Sequence, residues 1–354
     1  MAPGAHGTWI PLDSGDEWRA ALRGVPHAFG HTWENCHSMA LTTGYETYLY
    51  RYDADGHTVV CPVAERPFRG HVDILTPYGF SGFAGTAPQP EFGEEWRQET
   101  TQRAYVCGYI GLNPLLCTPE WGHSTELHTH NQIYALDLQL DTDELHANLS
   151  SARRRQLRKW PADVELVFER DRLKRFVAEH YRAFFQRKKA GAAYQFRRQT
   201  IEDLADHHNV MLLGVEGSDG LEEVMMLAFT PHAAEYVMSI SNDDARRHTA
   251  HLIWEGVSQL KKRRVPWFNL GGGVHPGDGV ARFKEHFGGR VFPLQSLKQV
   301  YDPESFRALC KRAGADPHDL SGYFPPYHAP SPIPGPHGLD RNPHGGRKSD
   351  ESNL

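Results

Sequence analysis

Chemistry in this chain concentrates in one stretch, Asn269-Leu270-Gly271-Gly272-Gly273 followed by Phe283-Lys284 and Phe287-Gly288-Gly289. The apolar run 265–270 reads as a strand ending in a glycine loop, whose backbone can take positive φ and let a ligand approach closely, so Gly272 and Gly273 are candidate substrate contacts. On a short helix Phe283 and Phe287 share a face, while Lys284 is turned about 100° away. The aromatics can anchor the helix while one ammonium points elsewhere, as a site for a phosphate or an acyl group needs. The plain alternative is a turn beside a solvated lysine.

Other residues compete for a role. Arg153, Arg154, Arg158 and Lys159 form a cationic helix after a serine start, which is either a solvated face or a contact for a phosphate backbone. Tyr78 and Ser81, in a turn-rich loop, are candidate acceptor contacts because their hydroxyls both donate and accept; the plain alternative is a strand-loop-strand turn. His128 and His130 would put two rings on one face of a strand, but no third ligand has a clear spacing, and no metal is expected. Asp243 and Asp244 precede a helix and read first as caps. No Ser-His-Asp or Cys-His spacing stands out, so positioning and the substrate's own groups would carry much of any reaction.

The elements that hold these residues follow from length and pattern. A chain of 354 residues with 39% hydrophobic content can bury two ordinary cores. A net charge of −6 excludes a coat of positive potential, so nucleic-acid contact would need a local patch, and no DNA partner is expected. The cysteines, five and without a C-x-x-C pair, suit reduced packing residues. No run approaches the ~18 apolar residues of a membrane span and the N-terminus lacks a signal pattern, so a cytoplasmic protein is expected.

Periodicity predicts strands at 45–51 and 57–63 around an Asp55-Gly56 turn, a helix over 91–107, and a strand at 132–138. The composition shifts near residue 150, where the lobe boundary is placed. Beyond it come a strand at 164–168, a helix over 171–188, strands at 210–215, 223–229 and 236–240, a helix over 249–262, and a strand at 267–270. This order, met twice, predicts an α/β chain of two lobes, 1–150 on the acceptor side and 151–321 on the acyl-donor side. Residues 322–354 form a Pro/Gly-rich tail expected to be disordered.

Four signatures resemble the Fem family of peptidyltransferases, built from two tandem GNAT-like domains: Pro77-Tyr78-Gly79-Phe80-Ser81-Gly82, Leu112-Asn113-Pro114-Leu115-Leu116, the 153–159 run, and the block from Leu270 to Gly288. Together they cover roughly residues 30 to 290. The resemblance implies an aminoacyltransferase that takes an amino acid from aminoacyl-tRNA, with no other cofactor, and forms an amide on a cell-wall precursor or a peptide-like natural product. It implies that Lys284 is the catalytic cation near the aminoacyl end, that Phe283 stacks on the terminal adenosine or simply packs, and that Arg197 or Arg198 faces an anionic acceptor. The chain departs from the family in having no long coiled-coil arm and in carrying Phe80 where a second tyrosine is common. The alternative donor is acyl-CoA; against it, the segment 246–252 lacks the glycines of a pyrophosphate-binding turn.

Overall fold

The computed structural model describes residues 6–86, 91–116, 124–158, 160, 164–188, 195–242 and 248–329. The chain opens with β1 (His6–Pro11), α1 (Gly15–Ala21) and α2 (Trp33–Thr43). Thr32 caps the start of α2 through the Asn35 N–H, and Gly44, left-handed at φ 68°, ends it. The hairpin read from the sequence is present as β2 (Thr47–Ala54) and β3 (His57–Phe68), with Asp55 and Gly56 both at positive φ in the turn. Next come β4 (His71–Leu75), the short β5 (Ala84–Gly85), α3 (Phe92–Gln102), β6 (Tyr105–Gly111) and β7 (Leu127–Asp137). The helix expected over 91–107 stops at Gln102. Ala104 turns left-handed at φ 56°, and Tyr105-Val106-Cys107 leave as a buried strand.

The second part runs α4 (Thr142–Asn148), α5 (Ser151–Leu157), β8 (Glu165–Val167), α6 (Arg170–Arg187), α7 (Arg198–Asp206), β9 (Val210–Gly217), β10 (Gly220–Phe229) and β11 (Ala234–Ser241). It closes with α8 (Thr249–Lys262), β12 (Trp267–Asn269), α9 (Gly279–Glu285), β13 (Arg290–Val300) and α10 (Pro303–Ala313).

Among the described residues these strands form one 13-stranded sheet in the order β1-β2-β3-β4-β6-β13-β7-β12-β11-β10-β9-β8, with β5 on β3. Each half contains one parallel pair, β4 with β6 and β11 with β12, and in each the connection passes through a helix, α3 or α8. The same strand-helix-strand unit thus occurs twice, as the pattern predicts. The halves then exchange their last strands: β13 pairs with β6 of the first half, β7 pairs with β12 of the second, and β7 and β13 pair with each other. A cut at residue 150 therefore separates β6 and β7 from the strand that lies between them.

Alternation along β10 feeds two cores. Val224, Met226 and Ala228 meet α6 and α7 on one face, and Met225 and Leu227 meet α8 on the other. Leu173, Phe176, Val177, Tyr181 and Phe184 form the buried stripe of α6 that their spacing predicts. Trp96, Phe92, Phe83, Tyr50 and Tyr52 fill the first half, each aromatic contributing about 1.5–3 kcal/mol by burial.

Part of the segment that composition assigned to a disordered tail, 324–328, packs on the fold. Phe324 and Tyr327 are buried against Phe306 and Leu309 of α10, the Tyr327 hydroxyl bonds to the buried Asp73, and His328 Nε2 lies 2.9 Å from the same carboxylate. Aromatics among the prolines supply the apolar area that the Pro/Gly content hid. Residues 330–354 lie outside the described residues. Cys36, Cys61, Cys107 and Cys310 are buried, and Cys117 lies outside the described residues.

Candidate active site

The parallel strands β11 and β12 pair only at Ala234 with Phe268 and Glu235 with Asn269; β11 runs on without that partner. The glycine loop starts where they part. Gly271 is left-handed at φ 73°, its N–H donates to Asn269 Oδ1 (2.7 Å), and its carbonyl accepts from Tyr134 of β7 (3.2 Å). A Cβ at Gly272 would come within 2.2 Å of the Gln132 carbonyl, and one at Gly273 within 2.3 Å of Asp278 Oδ1. The close approach that requires Gly272 and Gly273 is thus made by the chain itself. Asp278 pins the loop to α9, accepting from Val274 (2.8 Å), His275 (3.0 Å) and, as N-cap, Ala281 (2.8 Å). Those backbone donors, Ala281 first, hold its carboxyl below the usual range.

Lys284 projects from α9 into this loop. Its side chain is not in bulk water: the residue is 9% exposed, Nζ donates to the Gly272 carbonyl at 2.6 Å, and the ammonium stands 5.6 Å from the Tyr236 ring centre. An added Cβ on Gly271 would meet Nζ at 3.1 Å, and Phe80 Cζ at 4.0 Å. The glycine beside the lysine is a space requirement as well as a backbone one.

Sequence reasoning missed Glu235. It is 5% exposed and shares the face of the parallel pair with Asn269, and neither Glu235 Oε1 nor Asn269 Nδ2 has a hydrogen-bond partner among the described residues. Burial pushes the Glu235 carboxyl up to about 8, against the opposing effect of a hydrogen bond with the Phe80 backbone. One carboxyl oxygen and one amide nitrogen without partners among the described residues, on one face of the strand pair, are what a polar substrate would satisfy. The adjacent Tyr236 under Lys284 was visible in the sequence only as a strand residue.

The first half supplies the facing loop. Phe80 reaches both Glu235 and Gly271, the Phe80 carbonyl accepts from Asn113 Nδ2 (2.9 Å), and Gly30 passes so near that a Cβ would lie 2.7 Å from that oxygen. His31, fully buried, accepts the Ala28 N–H at Nδ1 (3.2 Å), which leaves Nε2 to donate to the Gly82 carbonyl (3.1 Å). Burial, with the His27 charge, pushes the His31 pKa down to about 3. Tyr78 is 40% exposed with its ring 5.1 Å from Phe196, whereas the Ser81 hydroxyl is buried inside the loop without a partner among the described residues.

Phe196, whose ring meets Tyr78, leads into Arg197 and Arg198. Arg197 nevertheless donates to the Leu41 carbonyl (3.2 Å), and Arg198 turns along α7 to Glu202 (2.8 Å). In the cationic helix, Arg153 is buried: its guanidinium lies 4.4 Å from both the Phe283 and Phe287 ring centres and donates to the Phe283 carbonyl (3.0 Å). Desolvation lowers its pKa to about 10. Its place is inside, bracing α9, and a phosphate backbone cannot reach it; Phe283 correspondingly packs under it. Arg154 caps α4 through the Ala147 and Leu149 carbonyls (2.7 Å each), Arg158 is exposed, and Lys159 lies outside the described residues. Asp243 and Asp244 also lie outside them. His130 is the extra residue of a β-bulge in β7, opposite Leu294 and Gln295 of β13, while His128 pairs with Ser296, and neither joins a ligand group among the described residues.

A cleft of about 650 Å³, lined among others by His27, Thr230, His232 and Arg263, opens just ahead of β11; neither Lys284 nor Glu235 lines it.

No protein-family profile matches the sequence, and no curated protein matches it. Solved structures do. FemX superposes with a TM-score of 0.65 at 11% identity, over 86% of this chain and 99% of that one. L-PGS from Bacillus licheniformis gives 0.53 at 11%, over 86% and 97%, and the C-terminal domain of a putative lysylphosphatidylglycerol synthetase from Agrobacterium fabrum gives 0.52 at 12%, over 85% and 94%. At such identities the shared property is the fold. The chain has the Fem-like fold, two GNAT-like halves in tandem with exchanged final strands.

Proposed function

We propose that this protein is an acyltransferase that moves an aminoacyl group from aminoacyl-tRNA to the amine of a small peptide-like or cell-wall-type acceptor. The observation that carries the reading is the buried ammonium of Lys284, held on the glycine loop that begins where β11 and β12 part, with the buried acid Glu235 at the last paired position of those strands. The fold shared with FemX and with lysylphosphatidylglycerol synthetase domains supports it. In the reaction the amine attacks the ester carbonyl of the aminoacyl group, and a C–N bond forms as the carbonyl π pair moves onto oxygen. Lys284, with the Asn269 amide, stabilises that oxyanion. Glu235, as carboxylate, takes the proton the amine loses. Collapse breaks the C–O bond to the ribose, and the proton passes from Glu235 to the departing hydroxyl.

One observation favours this donor over acyl-CoA. At the start of α8, where a pyrophosphate would need free N–H groups, the Glu223 carboxylate accepts the His248 N–H at 3.3 Å and the Thr249 hydroxyl. A carboxylate there repels a pyrophosphate. The exposed Arg158 is the candidate tRNA-backbone contact. The test incubates the chain with a charged tRNA pool and candidate amines, with and without ribonuclease, beside an acyl-CoA assay. Amide product abolished by ribonuclease is expected; product that persists after ribonuclease, or that needs acyl-CoA, overturns the donor.

A further inference from the structure

Away from the acyl-transfer site, α2 of the first half packs on α7 of the second, and three ligand-type side chains converge in that seam. Asp203 and His207 are spaced one helical turn apart at i, i+4, so both project from one face of α7 and its C-terminal cap. His37 comes from α2. On the single atom Asp203 Oδ2 converge His37 Nδ1 at 3.1 Å, His207 Nε2 at 3.1 Å and the Ser38 hydroxyl at 2.6 Å. The three ligand atoms lie within 4.8 Å of one another.

We infer that His37, Asp203 and His207 form a binding site for a divalent transition-metal ion of the zinc type, clamping the two halves together. Two imidazole nitrogens and one carboxylate oxygen are a borderline donor set that suits zinc better than magnesium or calcium. With ligands about 2.0–2.2 Å from zinc, tetrahedral geometry sets them about 3.3–3.6 Å apart, so each ring needs to draw back from Asp203 Oδ2 by only a few tenths of an ångström. The His37 ring is held in place by packing. His37 stacks on Trp33 (4.5 Å, 18°), Trp33 donates to the Leu12 carbonyl at 2.7 Å, and the Arg19 guanidinium lies 4.4 Å from the Trp33 ring centre. Exposure rises from 14% at the His207 side chain through 25% at Asp203 to 34% at His37, so the fourth position faces solvent and takes water, with Ser38 Oγ 3.2 Å from His207 Nε2 as a neighbour. Without metal the cluster is a hydrogen-bonded contact; with it, the same atoms become a cross-link between halves.

The test uses the full chain without an affinity tag, stripped with chelator and dialysed into metal-free buffer. Zinc titration by calorimetry is expected to show one tight ion per chain, and zinc at about 100 times its Kd to raise the melting temperature by about 3 °C or more. His37→Gln/His207→Gln is expected to weaken that binding at least 100-fold while keeping the metal-free circular dichroism spectrum. Because the chain has 22 histidines, unchanged tight binding in the double variant assigns the ion elsewhere and overturns the inference. Should the variant fail to fold, anomalous scattering at the zinc edge from zinc-soaked wild-type crystals decides: a peak among the three side chains supports the site, and its absence there sinks it.

Discussion

At the scale of single residues, the ammonium of Lys284 and the carboxyl of Glu235 make separable contributions. Lys284→Ala is expected to lower kcat/KM at least tenfold, which is about 1.4 kcal/mol of transition-state stabilisation, while the protein stays folded by circular dichroism. Lys284→Arg is not expected to rescue, since a planar fork does not fit the space in which Nζ already stands 3.1 Å from a Cβ position on Gly271. In the proposed reaction Glu235 must be ionised to take a proton, so activity should rise with pH through about 8, and Glu235→Gln should remove both activity and that limb. Its stability signature has the opposite sense. A carboxyl raised from 4.5 to about 8 in the fold stabilises fully below pH 4.5 and loses that contribution as pH climbs through about 8, so Glu235→Gln should flatten the alkaline decline in melting temperature.

At the scale of elements, the glycine loop holds Lys284 and the 77–82 loop meets Glu235. Gly271→Ala puts a side chain at φ 73° against Nζ, and it should cost about 1–2 kcal/mol of stability and most of the activity. Gly277→Ala, at φ 71° with nothing within 4 Å, is the control: similar backbone strain, activity kept. His31 pins the facing loop only as a neutral ring. Its pKa is lowered from 6.5 to about 3, so the unfolded chain binds the proton first and stability should fall as pH drops from 6.5 towards 3; His31→Asn, followed by chemical denaturation across that range, should lessen the slope. Much of this frame was legible beforehand. The helix 249–262 has the expected bounds, and the lysine and glycines were singled out by local spacing alone. Glu235 was not, because it sits just ahead of the strand read at 236–240, and its burial and its hydrogen bond with the Phe80 backbone of the other half exist only in the fold. Arg153 misled for the same reason: a run of arginines looks like a wet surface until Phe283 and Phe287 close over one of them. β13 escaped notice because its first residues are partly exposed and Pro293 interrupts the alternation.

At the scale of the molecule, the exchange of β7 and β13 makes the halves interdependent. Residues 1–150 expressed alone lack the strand that joins β6 to β7 and should be insoluble or unfolded by circular dichroism, whereas co-expression with 151–354 should recover soluble complex; a folded, monomeric 1–150 would refute this account of the sheet. None of the helices among the described residues is long and apolar enough to cross a membrane. The exchange also sets an order of events on the ribosome. When β7 leaves the exit tunnel, the neighbour destined for both it and β6 has not yet been translated, so two open strand edges must wait, exposed to any passing nascent chain, until Val300 emerges.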